Sequence, residues 1–87
     1  MDMNVENFSE KILAIHEPDY GDFMRKANHY LLDLKKALDR LPNPEVKHKL
    51  DQMQSYIQFH PNWEIEPTVK QILKDINDLD NMVTTTH

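Results

Sequence analysis

Residue types able to do chemistry are few in this chain, and their spacing is poor. There are five histidines, at positions 16, 29, 48, 60 and 87. Imidazole can bind a metal or move a proton near neutral pH, but a helical zinc site needs two ligands one turn apart, as in His-Glu-x-x-His. No two of these histidines are four residues apart. His29 and His48 fall on the polar sides of helical segments, His16 at a helix end, His60 in a loop and His87 in the tail. Solvated or end-capping imidazoles are therefore expected, with no metal and no cofactor. Only a composite site assembled in three dimensions stays open. Nucleophilic catalysis has less support: Ser9 and Ser55 are the only serines, and Ser55 has no histidine at helical-neighbour spacing. Asp78 and Asp80 project from different faces of a helix. Glu64 and Glu66 flank Ile65, and Glu66 suits the positive end of a helix dipole without any catalytic duty.

Histidine phosphotransfer domains are helical bundles with an exposed mid-helix histidine, followed by a lysine and a small residue that leaves room for phosphate. Here His29 is followed by Tyr30, Leu31, Leu32 and Asp33, and His48 by Lys49, Leu50, Asp51 and Gln52. Both runs depart from that pattern, which speaks against the role. The single glycine, Gly21, excludes a glycine-rich phosphate loop or dinucleotide fingerprint.

The best functional candidate is the segment 59–67, Phe-His-Pro-Asn-Trp-Glu-Ile-Glu-Pro. Phe59, His60, Trp63 and Ile65 lie close together there. Two readings compete: Phe59 and Trp63 fold back to plug the open end of the core, since each aromatic offers 150–250 Å² for burial, or they form a partner-binding surface.

Four segments must position these residues. Apolar residues recur at steps of three and four, the period of one helix face. Val5, Phe8, Ile12 and Ile15 mark a short helix over 4–16, capped by Asn4 or Asn7 and ended by Glu17-Pro18. Tyr20, Met24, Ala27, Leu31, Leu34, Leu38 and Leu41 mark 20–41, with Phe23, Tyr30 and Ala37 as a third column and Leu32 outside the stripe. Val46, Leu50, Met53 and Ile57 mark 44–59, with Asn43 as cap and Pro44 at the first helical position. Val69, Ile72, Ile76, Leu79 and Val83 mark 67–83, opened by Pro67, with 84–87 a frayed tail. The turn Pro42-Asn43-Pro44 makes its flanking helices antiparallel neighbours.

The fold class expected is all-α: one domain over 1–87, a small antiparallel helical bundle of three main helices with the short N-terminal helix alongside or across them. That first helix, short and terminal, should be the loosest element and dispensable for cooperative folding. Eighty-seven residues make one modest core.

Net charge is −5, unevenly spread: −5 over 1–22, +3 over 23–41, 0 over 42–61 and −3 over 62–87. The basic segment is either a solvated helix among acidic neighbours or a strip for an acidic partner. Overall acidity speaks against nucleic-acid binding, which needs many phosphate-neutralising cations. No cysteine, no signal-like start and no apolar run of membrane length suggest a cytoplasmic protein with no membrane contact. By elimination, the expected function is a non-enzymatic protein–protein interaction module such as an adaptor, a secretion-type chaperone, an inhibitor or immunity-like factor, or a regulatory subunit. The alternative is a homo-oligomeric helical module that pairs its heptad faces between chains.

Overall fold

The structure, a computed structural model, describes residues 2–59 and 64–85. It is all-helical: α1 (Met3–Leu13), α2 (Tyr20–Leu38), α3 (Pro44–Gln58) and α4 (Ile65–Thr84). Each helix packs on its neighbours in chain order, and α1 closes the ring against α4. Three contacts give the directions. The backbone N–H of Asp2, before α1, donates to Asp80 near the end of α4. Tyr20, which opens α2, reaches Ile57 near the end of α3. Lys49, early in α3, pairs with Asp75 and Asp78, late in α4. Neighbours therefore run antiparallel, in an up-down-up-down four-helix bundle.

α1 lies alongside the other helices as expected, with Val5, Phe8 and Ile12 of its named face buried in the same core. Its cap is Asp2, not Asn4 or Asn7: the Asp2 carboxylate accepts from the N–H groups of Asn4 (2.9 Å) and Val5 (3.4 Å). A carboxylate satisfies these orphan donors and also complements the helix dipole. The helix ends at Leu13, before Pro18 can act, as the Ala14 N–H folds back onto the carbonyls of Glu10 and Lys11. That leaves Leu13 exposed and Ile15 resting on the core.

α2 buries Tyr20, Phe23, Ala27, Leu31, Leu34 and Leu38. Met24, Tyr30 and Leu41 are only partly buried against this stripe. The helix stops three residues before Leu41, where Arg40 donates to the Ala37 carbonyl at 2.8 Å. Asp19 caps its start by accepting from the Asp22 N–H at 3.2 Å. A Cβ on Gly21 would lie 2.9 Å from an oxygen of that capping carboxylate, so a larger residue would require the Asp19 side chain to shift.

α3 begins as the sequence suggests, with the Asn43 side chain accepting from the Glu45 N–H at 3.0 Å and Pro44 in the first turn. α4 starts two residues before Pro67, so proline occupies a first-turn position whose N–H has no intrahelical partner anyway. Its buried row is Thr68, Ile72, Asp75, Ile76, Leu79 and Val83. Thr68 takes the fully buried place expected for Val69, which is only half-buried. The threonine hydroxyl can be buried because it donates to the Glu64 carbonyl at 2.6 Å. Thr84, assigned by the sequence to the tail, closes the helix.

Candidate interaction site at one end of the bundle

The entry to α2, the exit of α3 and the entry to α4 meet at one end of the bundle. Tyr20 joins them. Its hydroxyl donates to the Ile57 carbonyl at 2.8 Å. Burial raises the phenol above its ordinary value; a hydrogen bond with the Thr68 side chain works the other way, and nearby Tyr56 adds a smaller upward push. With the Thr68–Glu64 bond, a short polar chain ties three helix termini in a region otherwise held by apolar packing.

Over this junction lies an open groove of about 560 Å³. Its apolar lining comes from Pro18, Tyr20, Ile65 and Pro67, and its rim carries Glu64, Glu66 and Lys70. The Lys70 ammonium sits 3.5 Å from Glu66, but both side chains are well exposed and such a pair contributes little. The rim is thus mildly acidic and solvated.

The four residues singled out from the sequence divide three ways. Phe59 is the C-cap of α3, its N–H bonded to the Ser55 carbonyl at 2.9 Å, and its side chain is 75% exposed. It therefore does not plug the core. Ile65 is not a loop residue: it is the first residue of α4, half-buried, with one side on the core and the other in the groove. His60 and Trp63 lie outside the described residues, so the plug reading for Trp63 has no structural counterpart here.

The histidines are scattered. His16 is exposed in the α1–α2 connection. His29 lies 3.8 Å from Asp33 on the outer side of α2 and edge-on to Tyr30. His48 contacts Gln52 at 3.2 Å on α3, and His87 falls outside the described residues. Among the described residues, no three His, Cys, Asp or Glu side chains are grouped to hold a metal ion. A second open groove, about 510 Å³, runs along the first half of α2 between Glu17, Arg25, Lys26 and His29. Its charges are internally matched, Arg25 by Asp22 and Lys26 by Glu17. The bond and charge of Glu17 hold the Lys26 ammonium above its ordinary value.

The rhythm of apolar residues does not reveal an ion bridge between α3 and α4. The largely buried Lys49 ammonium bridges α3 to α4, 3.3 Å from Asp75 and 3.4 Å from Asp78. Gln71 also donates to Asp75, at 3.1 Å. Asp75 had a legible signal: it falls inside the apolar row of Ile72, Ile76 and Leu79, where an acid needs a partner. Asp78 and Asp80 do project to different neighbours, Lys49 and the Asp2 backbone.

No described helix is long and apolar enough to cross a membrane. In comparisons with known proteins, the chain matches no family model, no curated protein and no solved structure.

Proposed function

We propose that the protein is a small, non-enzymatic, cytoplasmic protein–protein interaction module that docks its partner at the Phe59 end of the bundle. The exposed phenyl ring of Phe59 carries this reading. Burying a phenylalanine is worth about 1.5–3 kcal/mol, and here that gain is not taken within the chain. An exposed ring at the same end as a groove with an apolar lining has the character of an interface anchor, since aromatic residues concentrate in interface cores. His60 and Trp63 follow Phe59 in sequence and belong to the same proposal. The acidic rim at Glu64 and Glu66 suits a partner with an apolar anchor and a cation beside it. An open, solvated rim favours contact over catalysis, because it cannot exclude water from a reacting group.

Affinity capture from native extract tests this with four proteins: wild type, Phe59→Ala, Trp63→Ala and Asn77→Ala, the last an exposed change on the outer side of α4. A common partner should be retained by wild type and Asn77→Ala and lost with Phe59→Ala at an unchanged melting temperature. Equal capture by wild type and Phe59→Ala would remove Phe59 from the interface.

A further inference from the structure

α1 and α2 each present an outward row that the bundle leaves uncovered. On α1 it is Glu6, Glu10 and Leu13, at steps of four and three, with Leu13 55% exposed. On α2 it is Leu32 and Lys36, with Leu32 46% exposed, continued by Arg40 in the turn that follows. These rows hold opposite charges. Among the described residues, none of Glu6, Glu10, Lys36 and Arg40 takes part in an ion pair. Arg40 spends one donor on the Ala37 carbonyl and has four others available. Asp39, next to it, is turned toward Lys47 at 3.8 Å.

The two rows also match in register. Laid antiparallel with Leu13 on Leu32, the α1 row brings Glu10 opposite Lys36 and Glu6 opposite Arg40. At 1.5 Å per residue, Glu10 stands roughly 4.5 Å from Leu13 along its helix and Lys36 roughly 6 Å from Leu32 along its own; Arg40, two residues past the end of α2, extends that row toward Glu6. An apolar contact at one end and two ion pairs beyond it can thus form together. Within one chain they cannot, because both rows point away from the bundle.

We propose that the outward face of α2 (Leu32, Lys36, Arg40) is a docking surface for the outward face of α1 (Glu6, Glu10, Leu13) of a second copy of this chain. The contact joins two different patches, so a pair of copies still exposes one free face of each kind and assembly continues head to tail into rings or open chains. It is a weak contact, one helix pair with a single leucine pair at one end, and it depends on salt because its charges are exposed.

Sedimentation equilibrium on the purified full chain, from micromolar to millimolar concentration and at low and high salt, tests it with a complementary charge swap. Wild type should associate at low salt and dissociate at high salt. Glu6→Lys/Glu10→Lys makes both rows basic, and Lys36→Glu/Arg40→Glu makes both acidic. Each variant alone should lose at least tenfold in association, and an equimolar mixture should regain it, because each variant then offers the other its complement. Thermal melts check that both variants fold. If the lysine pair disturbs α1, Glu6→Gln/Glu10→Gln replaces it and should weaken association in the same direction. A wild type that stays monomeric throughout, association insensitive to the reversals, or a mixture no stronger than its components would each overturn the proposal.

Discussion

Phe8 and Phe59 are the same residue type in opposite situations. Phe8 belongs to a short helix near the start of the chain and is 2% exposed; Phe59 sits well inside the chain, between the two halves of a helical hairpin, and is 75% exposed. Position along the chain would suggest the reverse. What decides is the direction each ring faces. Phe8 shares a row with Val5 and Ile12, and the gap between α2 and α4 needs a fourth helix to cover it. Phe59 follows Ile57 by two residues, so it falls off the buried row of α3 just as the helix ends. A terminal segment is peripheral only if nothing else covers the surface it covers.

The sharpest way to break this comparison is to remove α1. Deleting residues 1–16 should abolish the cooperative unfolding transition seen by circular dichroism, because the inner faces of α2 and α4 lose their cover. A deletion that still unfolds cooperatively would mean that three helices suffice. Within the intact chain, Phe8→Ala should cost about 3–5 kcal/mol, the range for a buried aromatic, read by denaturant titration. That is a large share of the roughly 5–15 kcal/mol that domains commonly have.

A smaller effect is expected at the polar bridge between α3 and α4. Lys49→Met should destabilise by about 2 kcal/mol. This is below the roughly 3–5 kcal/mol of a fully buried broken pair, since Asp78 keeps access to water. Adding Asp75→Leu should recover part of that loss, because the acid left unpaired is then gone. A double variant less stable than Lys49→Met alone would show that Asp75 acts through Gln71 rather than Lys49.

Tyr20 sharpens the contrast at the Phe59 end, where it is the buried aromatic. Tyr20→Phe should cost about 1–2 kcal/mol, from the lost bond to Ile57 and the carbonyl left behind. Its folded-state value lies above the ordinary one of about 10, so the native state holds the phenolic proton more tightly than the unfolded chain does. That contribution is complete below pH 10 and is lost as pH rises through the folded value. Alkaline melts of wild type should therefore fall more steeply above pH 10 than those of Tyr20→Phe; parallel curves would remove Tyr20 as the cause. The smallest effect is Phe59→Ala, within about 0.5 kcal/mol as for an exposed side chain. A loss of several kcal/mol would mean that the ring is buried in solution.

Much of this architecture was legible in the residues. The three- and four-residue rhythm named the helices and all but a few of their buried positions, because a helix can bury only one side and only apolar side chains repay it. Asn43-Pro44 announced the start of α3 because both act through local backbone geometry, with no help from the rest of the fold. The caps of α1 and α4 were not legible in the same way. Asp2 competes with Asn4 and Asn7 for one role, and Glu64 caps nothing with its side chain while Thr68 bonds back to its carbonyl.

Of the candidate site, sequence marked Phe59 and Ile65 but left open whether Phe59 plugs the core or faces outward, and it placed Ile65 in a loop rather than at the start of α4. Whether a ring is a plug or an anchor depends on where three helix ends meet. The Lys49–Asp75 bridge was hidden for the same reason: an acid within an apolar row says that a partner is needed, and only the packing of α3 on α4 supplies its identity. Local rules thus determined the helices, their faces and the best-marked turn, since those energies act between residues a few positions apart. The closing of the ring by α1, the exposure of Phe59 and the pairing of charges across helices were decided by tertiary structure, because they depend on distances between residues that are far apart in the chain.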